Sequence, residues 1–244
     1  MLNKAAELMK QSRYIVALTG AGMSTESGLP DFRSNGGLWA GKKPEEIAHI
    51  TAVGSEAFKT FYSMRMKDLA AHQPNKGHRI LAEWENGNIV KAIVTQNVDG
   101  YHQQAGSKRV IEMHGHLRSL YCDECYREYS VDKYMKNHDD CCETPGCNGT
   151  VRPPIILFGE ALPEGAWEQA TEEISKADLV LVVGTSLNVF PVNTLVEAAK
   201  QSGAHIILMT KSDTPYDYLA DVRIHESIGE TLTELDRLLT NKKE

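Results

Sequence analysis

Short runs of Val, Ile and Leu recur along the chain, separated by longer stretches whose apolar residues return every three or four positions. The runs are Tyr14–Leu18, Ile89–Thr95, Val110–Glu112, Ile155–Phe158, Leu179–Val183, His205–Met209 and a weaker Val222–Ile224. The stretch "DLVLVVG" is apolar at almost every position, which fits a strand covered on both faces. Segments between the runs, such as "NTLVEAAKQSG" closing on Gly203, fit helices. Alternation of this kind predicts an α/β, Rossmann-like doubly wound parallel sheet. The opening "MLNKAAELMKQSR" has an interrupted amphipathic pattern without an apolar core, so a first helix is expected there and not a signal peptide.

Two segments break the alternation. Residues 34–74 carry helical patterns but no convincing strand, and residues 117–150 hold many charges and little core material. Both read as insertions, a helical one and a small module, lying side by side over one end of the sheet. The remaining segments, 1–33, 75–116 and 151–244, then form one Rossmann-like domain, and 244 residues suffice for such a core with a small module attached.

Composition changes the picture in two ways. A net charge of −7 disfavours non-specific binding to nucleic acid or an anionic membrane, and no apolar run approaches the roughly 18 residues of a bilayer span. A cytoplasmic monomer is expected, with neither nucleic acid nor membrane as partner. All five cysteines, moreover, fall within 26 residues. In a chain with no export signal such clustering points to metal and not to disulfides. "CDEC" puts Cys122 and Cys125 on one knuckle, and Cys147 supplies a third thiolate. The fourth ligand is Cys142 or Cys141; Cys142 is preferred because "ETPG" gives turn residues between it and Cys147. Four thiolates favour one zinc ion in a closed, structural site.

The first strand runs into "GAGMSTESGLPDFRS". Gly20 and Gly22 allow a tight turn and close approach to a pyrophosphate, with Ala21 between them. The usual dinucleotide fingerprint adds a third glycine where this chain has Thr25, and an acid about twenty residues on, where "GKKPEEIAHI" ends no strand. Ser27, Gly28 and Pro30 stop any helix early, so an irregular loop bearing Asp31, Phe32 and Arg33 is expected over the phosphates. A dehydrogenase has no evident need of that lid.

"GAGMSTESGLPDFRS", "TQNVDGYHQQAG", "EMHG", "CDEC", "RPPIILFGE" and "VVGTSL", in this order, resemble the sirtuin family of NAD-dependent protein lysine deacylases, of the bacterial type. The resemblance runs from about Tyr14 to Ile228. It implies cleavage of the nicotinamide–ribose bond of NAD, with the acyl group of an acylated lysine passing to ADP-ribose. His114 in "EMHG" matches the general base, a task that suits an imidazole of unperturbed pKa about 6.5. Asn97 corresponds to a ribose contact with a catalytic part. Gln96, Val98 and Asp99 fall with it at a strand end, Val98 and Asp99 holding the nicotinamide amide. Gly184, Thr185 and Ser186 match adenosine and phosphate contacts. Thr210 stands where the family usually has an asparagine, and Ile228 ends the set of cofactor contacts. Phe158, Gly159 and Glu160 resemble the segment that pairs with a substrate backbone by strand addition. Tyr101 replaces an expected leucine.

Tyr62 and Arg65 lie i, i+3 on one predicted helix face, ahead of Pro74-Asn75. Some sirtuins that remove negatively charged acyl groups carry such a Tyr-x-x-Arg pair at a similar distance, and an arginine fork is a reasonable receptor for a succinyl or malonyl carboxylate. Deacetylation is the base expectation and desuccinylation or demalonylation an addition to it. Two competing readings remain: mono-ADP-ribosyl transfer to a protein side chain, and a non-catalytic, NAD-sensing zinc module.

Overall fold

The computed structural model describes residues 1–240. Helix α1 (Leu2–Gln11) leads into strand β1 (Ile15–Thr19). After the first insertion, with helices α2 (Pro44–Ile47) and α3 (Glu56–Ala71), come α4 (Lys76–Asn86), β2 (Val90–Thr95), α5 (Tyr101–Gln104) and β3 (Val110–Glu112). The second insertion holds β4 (Leu120–Cys122), β5 (Glu128–Tyr129) and α6 (Asp132–Asn137), and its small sheet is completed by β6 (Val151–Arg152), which pairs with β4 just past the expected bound at 150. The chain then closes with α7 (Glu164–Lys176), β7 (Leu179–Val183), α8 (Thr194–Gln201), β8 (His205–Met209), β9 (Val222–Ile224) and α9 (Ile228–Thr240).

The large sheet has the order β3-β2-β1-β7-β8-β9, every neighbouring pair parallel. β1 therefore sits at the point where the strand order reverses, and ligands in open α/β sheets bind outside the carboxyl ends at such a point. Side chains of one strand point alternately to opposite faces, and β1 divides accordingly. Ile15 and Ala17 join a core with Met9, Trp84 and Leu232, while Val16 and Leu18 join another with Ile174 and Leu195. β1 and β7 are buried at all five positions, as the unbroken apolar runs require. Among the described residues no helix is long and apolar enough to cross a membrane.

A third core lies outside the sheet and joins the two insertions. Phe58, Phe61 and Tyr62 of α3 pack with Leu120 and Tyr134 from the second insertion and with Val151 of β6, and Cys122 is buried among them. Ser63 Oγ donates to the Tyr134 carbonyl at 3.1 Å, adding a polar tie between the same two elements.

One expected strand is absent. The run 155–158 is irregular, and its amides serve several neighbours: Ile156 N donates to the His114 carbonyl at 3.0 Å and Phe158 N to the Ala48 carbonyl at 2.8 Å. Ile155 and Leu157 are buried in the third core, which explains the apolar pattern without a strand. Pro153 and Pro154 just before it have no N–H to give a ladder. Burial imposed the hydrophobicity, and periodicity alone does not separate a buried irregular segment from a strand.

Candidate active site

A cleft of about 820 Å³ opens at the carboxyl ends of β1 and β2 and runs beneath the insertions. Its sheet side begins with the glycine turn. β1 ends at Thr19 and the chain enters a 3₁₀ helix, Ala21–Ser27, that stops at Gly28 with φ 92°. Gly20 N donates to the Val183 carbonyl at 3.0 Å and Gly22 N to the Gly184 carbonyl at 2.8 Å, pinning the turn to the end of β7. A Cβ on Gly22 would lie 2.8 Å from the Gly184 oxygen, and one on Gly184, which has φ 64°, would lie 2.3 Å from Met23 N. These glycines serve backbone-to-backbone packing. Thr25 Oγ1 donates to the Gly22 carbonyl at 2.9 Å, so the residue in place of the third glycine closes the turn from within.

Behind the turn lies a hydrogen-bonded floor. Ser24 Oγ donates to Asp99 Oδ2 at 2.7 Å, and Asn97 Nδ2 donates to the Gly20 carbonyl at 3.1 Å and to Ser24 Oγ at 3.2 Å. Asp99 Oδ1 accepts the Tyr101 N–H at 2.9 Å. Burial raises the Asp99 pKa above its ordinary value, with the Tyr101 and Ser24 bonds pulling the other way. His78 supports the floor from below: Nδ1 accepts the Asn75 N–H at 3.3 Å, which leaves the proton on Nε2, 3.4 Å from Ser24 Oγ. Tyr101 is fully buried, its hydroxyl donating to the Leu69 carbonyl at 3.2 Å, so the larger ring is accommodated. Gln96 Nε2 donates to Thr185 Oγ1 at 2.8 Å, linking the ends of β2 and β7.

His114 follows β3 and faces the cleft. Its Nδ1 lies 3.1 Å from the Gln96 carbonyl. A carbonyl only accepts, so Nδ1 carries the proton and Nε2 keeps its lone pair. Burial pushes the imidazole pKa below its ordinary value, and the bond to Gln96 offsets part of that. The ring is therefore neutral at pH 7, a base with its free nitrogen preset.

The opposite side belongs to α3 and to the segment after β6. Tyr62 and Arg65 are each only 6% exposed, and both line the cleft. Arg65 Nη1 has no hydrogen-bond partner. Burial lowers the Arg65 pKa, with Asp68 and Asp99 acting against it, and a guanidinium so buried stays charged. Phe158 is half exposed at the rim, and its carbonyl accepts Ile50 N–H at 2.9 Å. Glu160 lines the cleft with its carboxylate already engaged: its two oxygens take Arg152 Nη1 at 2.8 Å and Nη2 at 2.9 Å, and Oε2 also takes Leu157 N–H. Gly159, with φ 90°, packs under the His49 ring.

The remaining sequence-predicted residues divide. Val98, Phe32 and Arg33 line the cleft, and Arg33 Nη1 reaches Ser186 Oγ at 3.5 Å. Asp31 serves its own loop, Oδ1 accepting Ser34 N–H at 3.0 Å and the Ser34 hydroxyl at 2.6 Å. Thr210, just after β8, and Ile228, the first residue of α9, stand outside the main cleft; Thr210 Oγ1 donates to the Ser212 carbonyl at 2.7 Å. Sequence reasoning missed Ser24 and His78, whose only signal is a hydroxyl in a glycine turn and a histidine early in a helix. It also missed Val189 and Phe190, which form a further wall of the cleft.

In the second insertion the Sγ atoms of Cys122, Cys125, Cys142 and Cys147 all lie within 4.8 Å of one another. Cys122 and Cys147 are 3.6 Å apart, as are Cys125 and Cys142. Zinc–sulfur bonds of about 2.3 Å in tetrahedral array put sulfurs roughly 3.8 Å apart, so the four thiolates fit zinc. Cys141 stays out of the group; it is exposed and bridges to Thr150 through its backbone.

A glycine turn at the switch point, an amide and carboxylate floor, a neutral histidine and a four-cysteine module together define a dinucleotide-binding protein with a reactive cleft. The Sir2 family model matches residues 20–191, and the chain belongs to the Sir2 family. It is 50% identical over 232 residues to the NAD-dependent protein deacetylase 1 of Geobacillus kaustophilus, covering 93% of this chain and 94% of that one. It is 47% identical over 231 residues to the NAD-dependent protein deacetylase of Oceanobacillus iheyensis, covering 93% and 96%. Among solved structures, a Sir2 with a p53 peptide and NAD+ superposes with a TM-score of 0.89 at 33% identity, over 99% of this chain and 100% of that one.

Proposed function

We propose that this protein is an NAD-dependent protein lysine deacylase, and that it accepts acidic acyl groups as well as acetyl. The observation that carries the reading is His114, neutral and with Nε2 free, in the same cleft as Asn97 and Asp99 on one side and Tyr62 and Arg65 on the other. Bound NAD supplies a ribose whose C1′ loses nicotinamide as the acyl oxygen of the modified lysine takes its place. Nε2 of His114 accepts the proton of a ribose hydroxyl, which the depressed pKa keeps possible at pH 7. Asp99 and the Val98 backbone offer the acceptor and donor that a carboxamide needs, and Ser24 and Tyr101 hold Asp99 in place for it. Asn97, tied to the Gly20 carbonyl and Ser24, presents the rest of its amide toward the ribose. The glycine turn, where no Cβ fits, lets the backbone approach the phosphates. One zinc ion held by Cys122, Cys125, Cys142 and Cys147 is scaffolding and takes no part in the reaction.

The acidic-acyl reading rests on Arg65. A buried donor without a partner costs roughly 1–3 kcal/mol, more when charged, and a carboxylate on the acyl chain would offset that cost with the Tyr62 phenol alongside. Substrate backbone would run between the 158–160 segment and Val189, main-chain pairing admitting varied sequences. The test is a panel of acetyl, propionyl, malonyl and succinyl lysine peptides with NAD, read by mass spectrometry. Acyl-dependent release of nicotinamide with formation of acyl-ADP-ribose is the expected result. Nicotinamide release that ignores the acyl group and labels protein with ADP-ribose would replace deacylation with ADP-ribosyl transfer.

A further inference from the structure

Helix α9 begins with backbone N–H groups that no carbonyl of its own can reach. Two side chains meet them. Ser227 Oγ accepts the Glu230 N–H at 3.4 Å, the arrangement expected of a capping serine. The Gly229 N–H is taken from across the fold, by Glu26 Oε1 at 3.0 Å. The same oxygen accepts the Ser227 hydroxyl, also at 3.0 Å. Glu26 belongs to the 3₁₀ helix Ala21–Ser27, so one carboxylate joins the glycine turn after β1 to the first turn of α9.

The joint depends on both partners. A Cβ on Gly229 would lie 2.2 Å from Glu26 Oε2, the far end of a flexible side chain, so the absence of a side chain at 229 leaves room for the carboxylate to sit on the helix start. The negative charge also meets the positive end of a 13-residue helix. Glu26 is exposed and contributes nothing to the cores, so the joint is separable from the packing beneath it.

Its place across the sheet suggests its purpose. β1 lies at the switch point, and β9 is the edge strand beyond β7 and β8. A dinucleotide lying over the carboxyl ends extends outward from the switch point. The glycine turn and the start of α9 bracket the stretch between them, on the side away from His114, with Thr210 at the end of β8. We propose that Glu26 is a positioning residue for the adenosine half of NAD, setting the separation between the glycine turn and α9 without touching the reacting atoms. The inference rests on the reading of the cleft as an NAD site.

The variants Glu26→Ala, Glu26→Gln, Gly229→Ala and Glu26→Ala with Gly229→Ala test it, measured by steady-state kinetics for NAD and acyl peptide and by calorimetry with ADP-ribose. Losing a charge-assisted hydrogen bond should raise KM for NAD and Kd for ADP-ribose about tenfold in Glu26→Ala, with kcat and peptide KM within about twofold. Glu26→Gln recovers most of the loss, because both bonds converge on one oxygen that an amide carbonyl reproduces. Gly229→Ala alone resembles Glu26→Ala, since the new methyl displaces the carboxylate, yet it adds no loss in the Glu26→Ala background, where nothing is left to displace. Additive losses, unchanged ADP-ribose affinity in Glu26→Ala, or a fall in kcat matching the rise in KM would overturn the proposal. A wild-type protein that binds no ADP-ribose would remove the NAD reading and this inference together; wild-type binding with an indifferent Glu26→Ala removes the inference alone.

Discussion

On the sheet side of the cleft, Ser24, Asn97 and Asp99 bond one another before any ligand arrives, whereas on the insertion side Arg65 Nη1 is buried without a partner. The first arrangement is rigid and self-satisfied, with a spare face on each amide and carboxylate for a ligand that is always the same. The second leaves a cationic donor waiting, so its energy depends on which ligand enters. The proposed chemistry divides along that line: the cofactor would be recognised by strand ends and a glycine turn, and the acyl group by one helix face. The two also differ in what holds them up. The floor stands on the large sheet, while the core behind Tyr62 is shared with the cysteine module.

The largest effect should come from the group that faces both sides. Removing a general base costs about 10²–10⁴ in rate, so His114→Tyr should reduce deacylation to near background while ADP-ribose binding by calorimetry persists. The pH profile sharpens the point. Burial depresses the His114 pKa, so the base form survives as pH falls and is lost only below the ordinary histidine value. The acid limb of kcat/KM should therefore lie below about pH 6.5, and a limb at neutral pH or above would contradict the assignment. Next comes the acyl wall. Loss of a buried charged hydrogen bond predicts that Arg65→Met lowers desuccinylation by about 10- to 100-fold and leaves deacetylation nearly unchanged. Equal losses, or no desuccinylation in the wild type, would erase the contrast between the two sides. The smallest effects fall on the module. Cys142→Ser should lose zinc by elemental analysis and weaken acyl-peptide turnover more than ADP-ribose binding, because the third core lies on the acyl side. Cys141→Ser should keep its zinc and its activity.

How much of this was legible in the residues follows from the kind of force at work. The strands of the large sheet are buried on both faces, so Leu179–Val183 and its neighbours announce themselves by unbroken apolar runs. The same rule misled at 155–158, where the third core demands apolar side chains but the backbone bonds go to His114 and Ala48. Cysteine spacing left two choices for the fourth thiolate, and only the fold of the 142–147 turn brings Cys142 within reach of Cys125. The floor was half visible. Asn97 and Asp99 come with a recognisable strand end, but Ser24 and His78 act through contacts between segments far apart in the chain, which no local pattern encodes. Glu160 was expected in a segment that pairs with a substrate backbone; it lines the cleft, and its carboxylate, held by Arg152, stiffens that segment from within.

The meeting of Gly22 with Gly184 has a consequence of its own. Two loops touch there main chain to main chain, with no space for a single methyl. On the proposed reading, side-chain replacement has no foothold beneath the phosphates, and new acceptance of modified lysines would be bought on α3, where Tyr62 and Arg65 can change while the bed for the nucleotide stays as it is.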